Sequence, residues 1–125
     1  MTVLIDSWVW IEYWKGGKYA RNSAKYIESD EKAFVSAINI TEIYTWVARY
    51  YGEDTAKRKM ESVEKRTYIM PLEKGTAIDA AKLKLKYKLG IADSIVLATA
   101  SHVKGKLISG DPDFNGIDDV VLINE

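Results

Sequence analysis

The chain has 125 residues, 47% hydrophobic and 29% charged, with 18 basic side chains against 18 acidic ones. That length predicts a single domain, residues 1–125, burying its own core, and the formal net charge of +0 speaks against a tight, sequence-independent nucleic-acid binder. Without cysteine there is neither a disulfide nor a thiolate metal site, which fits a reducing, cytoplasmic compartment, and no apolar run approaches the roughly 20 residues of a membrane helix.

Thr2-Val3-Leu4-Ile5 reads as a strand that ends at Asp6. No basic and then apolar leader precedes it, so no signal peptide is expected. Ser7 is placed to cap a short helix from Trp8 to Trp14, stopped at Gly16-Gly17. Trp10 and Trp14 share a face of it. Trp8, Trp10, Tyr13 and Trp14 crowd this one helix, and a single sheet face cannot bury four rings. Exposed aromatic surface is therefore expected there.

Tyr19 to Glu28 reads as a second helix and Ala33 to Ala37 as a second strand. Asn39 or Thr41 is expected to cap the next helix, which runs to Tyr51 and stops at Gly52. Glu42 then falls in its first turn, where a carboxylate suits the helix dipole. Asp54 opens a charged helix over Thr55 to Lys65, and Tyr68-Ile69-Met70 is a third strand closed by Pro71. Thr76 and Asp79 have the spacing of a capping box. Lys82 to Leu89 alternates polar and apolar like an exposed strand. It lies between a helix start and Gly90 and is built of strong helix formers, so a helix is predicted. Its lysines are expected to be solvated, with contact to a phosphate backbone as the alternative. Asp93 to Lys104 is the next helix, ended by Gly105. His102, near its C-terminal end, needs no partner there. Lys106 to Ser109 and Val120 to Ile123 complete five strands.

Strands alternating with helices predict an α/β fold, a parallel sheet with helices on both faces. Ligands bind such sheets outside the carboxyl ends of the strands. Asp6 and Asp111 follow strands, Asp113 sits in the Gly110-Asp111-Pro112-Asp113 turn, and Glu42 and Asp93 open helices. Capping and turn chemistry explains each acid singly, but their recurrence at element ends favours a site. Clustered carboxylates repel one another unless a cation lies among them, and oxygen donors select a hard one, Mg²⁺ or Mn²⁺. Asp6, Asp93 and Asp111 are the expected ligands of a first ion. Glu42 and Asp113 are expected to ligate a second ion or to orient water. A nucleophilic triad is improbable without cysteine and with one distant histidine.

The segments Leu4-Ile5-Asp6-Ser7, Ile40-Thr41-Glu42-Ile43, Ala92-Asp93-Ser94-Ile95 and Ser109-Gly110-Asp111-Pro112-Asp113-Phe114, in that order, resemble a PIN-domain ribonuclease. The resemblance is greatest to the small VapC-type toxins of toxin–antitoxin pairs. It implies a three-layer α/β/α fold with a five-stranded parallel sheet in the order 3-2-1-4-5, and catalysis by Asp6, Glu42, Asp93 and Asp111. It also implies endonucleolytic cleavage of single-stranded or loop RNA, a symmetric homodimer, and an antitoxin partner. Tyr13, Tyr44 and Trp46 are the aromatics proposed to stack on bases. Competing readings are a PIN nuclease of RNA processing without an antitoxin, a receiver-like Mg²⁺-binding module, a haloacid-dehalogenase-like phosphatase and a catalytically idle interaction protein. The receiver reading lacks paired acids and a late lysine. The phosphatase reading lacks an acid at position 8, which is Trp8.

Overall fold

The computed structural model describes residues 1–124. Strand β1 (Thr2–Ile5) leads into α1 (Ser7–Lys15) and α2 (Ala20–Ile27). Then come β2 (Lys32–Ser36), α3 (Ala37–Tyr51), α4 (Glu53–Arg66) and β3 (Tyr68–Met70). The hairpin α5 (Lys74–Tyr87) and α6 (Ile91–His102) precedes β4 (Lys106–Ser109). A 3₁₀ turn at Pro112–Phe114 and β5 (Val120–Leu122) close the chain.

All neighbouring strands are parallel, in the order β3-β2-β1-β4-β5. A receiver-like module has the order 2-1-3-4-5, so this topology excludes that reading. Val3, Leu4 and Ile5 are all fully buried, the unbroken apolar run of a strand covered on both faces. Val3, Ile5, Val35 and Ile108 turn to one face, under Val9 and Trp10 of α1, Ile27 of α2, Ile43 and Val47 of α3 and Val63 of α4. Leu4, Phe34 and Leu107 turn to the other, under Leu83 and Tyr87 of α5 and Val96, Leu97 and Ala100 of α6. The result is the expected three layers. The chain turns from β1 to β2 on one side and later returns to β4 on the other, so the switch point lies at β1's carboxyl end.

Local signals placed several boundaries differently from the fold. Helix α3 starts at Ala37, not near Thr41, because Ser36 caps it: its Oγ accepts from the Ile38 N–H at 3.3 Å, and Asn39 Oδ1 accepts from the Ser36 N–H at 2.9 Å. Glu42 therefore sits in the second turn, where the dipole argument no longer applies. The first-helix cap position is Asp6, with Ser7 already helical, and Gly52 rather than Asp54 precedes α4. Segment 82–89 is helical through Tyr87, and Lys88 ends it in the left-handed region at φ 59°. Gly90, at φ −66°, opens α6 instead of closing α5. The alternating pattern leaves Leu85 facing solvent. Thr76 and Asp79 form no capping box, since α5 begins at Lys74; both side chains meet His102 instead, Asp79 Oδ2 at 2.8 Å from Nε2 and Thr76 Oγ1 at 3.4 Å from Nδ1. The crowded rings of α1 find cover because α1 packs against both α2 and α3. Trp10 is buried, and Trp8, Tyr13 and Trp14 are half-buried. The exposed aromatics are Tyr50 and Tyr51 at the end of α3, and Tyr68 on the edge strand.

Candidate active site

Asp6 is the deepest of the acids, 5% exposed, at the carboxyl end of the central strand. Its backbone N–H donates to Ile108 O at 3.0 Å, tying the end of β1 to β4. Both its carboxylate oxygens are engaged: Ser109 Oγ donates to Oδ2 at 2.7 Å, and Asn39 Nδ2 donates to Oδ1 at 3.3 Å. Ser109 Oγ in turn accepts from the Asp111 N–H at 3.0 Å, and Asp111 Oδ1 accepts from the Asp113 N–H at 2.9 Å. One short network thus sets the end of β1, the end of β4 and the turn after it.

Asn39 extends the network to the third element. Fully buried, it also donates to Ser7 Oγ at 2.8 Å, and Ser7 Oγ donates to Glu42 Oε1 at 2.8 Å. A serine hydroxyl has one proton. With Asn39 donating to the Ser7 oxygen, that proton points to Glu42 and holds its carboxylate in place.

Asp93 projects from the first turn of α6 and is half-buried. Oxygens of Asp93, Asp111 and Asp113 all lie within 4.8 Å of one another, close enough to share one ion. Asp113 is exposed and joins this cluster from outside the groove, while Asp6 and Glu42 line the groove beside it. All five acids singled out in the sequence therefore reach one edge of the sheet, with Asp93, Asp111 and Asp113 forming the tightest set.

Electrostatics bear the marks of an uncompensated negative site. Burial pushes the Asp6 carboxyl from an ordinary 3.8 up to about 6; the Ser109 hydrogen bond opposes this, while Glu42 and Asp111 add to it. Asp93 rises to about 7, through burial first and then the charges of Asp111 and Asp6.

The acids sit at one end of a groove of about 480 Å³ walled by Trp8 and Ile11 of α1 and Thr45, Trp46 and Arg49 of α3. A larger cavity, about 540 Å³, opens at the amino edge of the sheet beside Thr2 and Gly105. There Asp119 is already paired with Lys106 at 2.7 Å, and no cluster of acids converges among the described residues. Gly110 is demanded by the groove: a Cβ there would lie 2.4 Å from the Trp8 ring, which rests on the backbone leading to Asp111.

Of the three aromatics singled out for stacking, only Trp46 lines the groove. The Tyr13 hydroxyl donates to Glu28, and the Tyr44 hydroxyl donates to Glu53 at 2.9 Å. Trp8, Asn39 and Arg49 carried no such expectation. Asn39 read as a cap, and nothing local marks the other two as facing acids. His102 lies away from the acids, as expected, but is paired with Asp79.

The sequence profile of the PIN domain family matches residues 3–120. This chain is a PIN domain. No curated protein matches its sequence. Among solved structures, it resembles a toxin–antitoxin complex from Klebsiella pneumoniae with a TM-score of 0.81 and 24% identity, over 97% of this chain and 97% of that one. It resembles VapBC-1 from nontypeable Haemophilus influenzae with a TM-score of 0.76 and 16% identity, over 100% of each chain. It also resembles Mycobacterium tuberculosis VapC20, described as a sarcin-ricin loop cleaving toxin, with a TM-score of 0.74 and 11% identity, over 93% of this chain and 95% of that one. At such identities the likeness is one of fold. The PIN domain's acids stand where that fold has its switch point.

Proposed function

We propose that this PIN domain is a divalent-metal-dependent endoribonuclease and the toxin of a toxin–antitoxin pair. The observation that carries the reading is the meeting of Asp93, Asp111 and Asp113 within 4.8 Å, beside a buried Asp6 and a hydrogen-bonded Glu42. Toxin–antitoxin assemblies among the structural neighbours support the biological context.

The donor set fits a hard cation: every ligand is a carboxylate oxygen, no nitrogen or sulfur ligand joins the cluster among the described residues, and burial, with the neighbouring acids adding to it, pushes the carboxyls of Asp6 and Asp93 up. Asp93, Asp111 and Asp113, with Asp6 behind them, would hold Mg²⁺ or Mn²⁺. When bound, such an ion neutralises a phosphate and lowers the pKa of a water molecule. The chain's own residues do the rest. Ser109 and Asn39 fix the Asp6 oxygens, so this ligand need not reorganise. Ser7 fixes Glu42 through Oε1, leaving its second oxygen to accept a proton from the attacking water. Trp8 and Ile11 bound the groove on one side and Trp46 on the other.

An antitoxin would inhibit at the acids themselves, pairing a basic side chain with them, most effectively a bidentate Arg. A homodimer is part of the proposal: Leu85 and Ile91 are exposed apolar positions on α5 and α6 that a second copy can cover. No helix among the described residues is long and apolar enough to cross a membrane.

The test is expression of the chain alone and with the product of an adjacent reading frame, followed by mapping of RNA ends. The proposal expects growth arrest with new RNA 5′ ends, relieved by a co-purifying partner that carries a basic segment. Intact RNA during arrest contradicts the nuclease reading; RNA cleavage without toxicity or partner leaves the nuclease and removes the toxin.

A further inference from the structure

The groove has a second pole that the acid site does not use. Glu42, Thr45, Trp46 and Arg49 follow one another on one face of α3, at spacings of three, four and seven, and all four line the groove. Seven residues at 1.5 Å each put Arg49 roughly 10 Å along the helix from Glu42. Arg49 is the one cationic side chain lining the groove, and among the described residues it forms neither an ion pair nor a hydrogen bond. Between the poles, the Trp46 ring is held by aromatic contacts, 4.9 Å from Tyr50 and 5.9 Å from Tyr51 between centroids. Trp8 faces it from α1 across the groove.

We propose that Trp46 and Arg49 form a nucleotide subsite beside the metal site, binding single-stranded nucleic acid: a base stacks on Trp46, and the phosphate next to the scissile one meets Arg49. The inference rests on the nuclease reading, because the acid pole must hold a phosphate for the second pole to hold its neighbour. An aromatic face beside a guanidinium is the pairing by which proteins hold single strands without reading sequence. Charge selects this occupant over a protein segment. A basic peptide tail suits the acids but is repelled by Arg49, whereas a polyanion threaded past a metal-loaded site finds attraction at both poles. The net charge of +0 is then no obstacle, since the positive charge is local.

The test uses the full chain and a labelled single-stranded RNA of mixed sequence. Binding is read by anisotropy across a salt series in the Asp93→Asn background, where cleavage is suppressed, and KM and kcat are measured in the otherwise native chain. Arg49→Gln should lower the slope of log affinity against log salt by about 0.7, the share of one phosphate contact. It should also raise KM more than it lowers kcat, and Arg49→Lys should restore the slope. Trp46→Leu should weaken binding by on the order of tenfold with the slope intact. An unchanged Mg²⁺-induced rise in Tm in each variant shows that fold and metal site survive. Native RNA affinity, slope and KM in both variants, with cleavage retained, overturns the subsite and leaves the nuclease standing. Native RNA binding combined with loss of a co-purifying inhibitor also overturns it, making the face a protein-docking surface. No RNA cleavage by the native chain with any divalent metal overturns the nuclease reading and the subsite together.

Discussion

Replacing Asp6 by Asn should make the metal-free protein more stable, an unusual result for the most buried acid of the site. Its carboxyl is pushed from 3.8 to about 6. Each pKa unit corresponds to about 1.4 kcal/mol, so keeping this group ionised at neutral pH costs about 3 kcal/mol. The sign follows from linkage. A carboxyl whose pKa is raised on folding binds more protons in the folded state, so its penalty is absent below about pH 4 and grows until the pH passes about 6. The side chain introduced by Asp6→Asn carries no charge and so no such penalty. Its amide oxygen can still accept from Asn39, and its amide N–H can donate to Ser109 once that hydroxyl turns; this exchange gives back about 1 kcal/mol. The net gain at pH 7.5 is about 2 kcal/mol, or roughly 6–10 °C in Tm for a domain of this size. Thermal unfolding in EDTA across pH 4 to 8 checks it. The curves of the two proteins should converge near pH 4 and separate as pH rises. Mg²⁺ should raise the Tm of the native chain much more than that of the variant. A variant less stable than the native chain at pH 7.5 in EDTA, or a difference independent of pH, would refute the electrostatic argument.

Asn39→Ala should destabilise by about 2–4 kcal/mol, since it orphans the Ser36 N–H, the Ser7 hydroxyl oxygen and one Asp6 oxygen at once; chemical denaturation measures this. Gly110→Ala forces the Trp8 ring off a Cβ at 2.4 Å, and should weaken Mn²⁺ binding by calorimetry through displacement of Asp111 while the protein remains folded. His102→Gln should leave RNA cleavage unchanged and shift stability by less than about 1 kcal/mol, because its pairing with Asp79 lies at the surface.

What sequence reveals here follows the range of the interactions. Asp6, Asp93 and Asp111 were legible because each sits beside a local boundary signal: the end of an apolar run, a helix start, a Gly/Pro turn. The layered α/β architecture followed from the same alternation of elements. Asn39 was not legible. Its neighbours Ser36 and Thr41 frame it as a capping residue, and it is one in part, but its amide reaches across 33 positions to Asp6. Arg49 and Trp8 belong to different helices, and only the folding of α1 against α3 places them on facing walls. Thr76 and Asp79 mimicked a cap because their spacing puts both on one helix face, where α6 presents His102 to them. Four rings in one short helix implied exposed aromatic surface, and Trp8, Tyr13 and Trp14 do keep part of theirs, the sheet face being only some of their cover. Flanking helices, invisible to local pattern, supply the rest.

The central claim is that this acid cluster cuts RNA with a divalent metal. The most direct measurement compares the native chain with Asp93→Asn on single-stranded RNA in Mg²⁺ or Mn²⁺, with EDTA as the matched condition. Asn keeps the shape at position 93 and removes one negative charge from the cluster. The account predicts metal-dependent cleavage by the native chain, abolished by EDTA and lowered by orders of magnitude in the variant, as for groups that act as a unit. Cleavage that survives both the substitution and the chelator would contradict it.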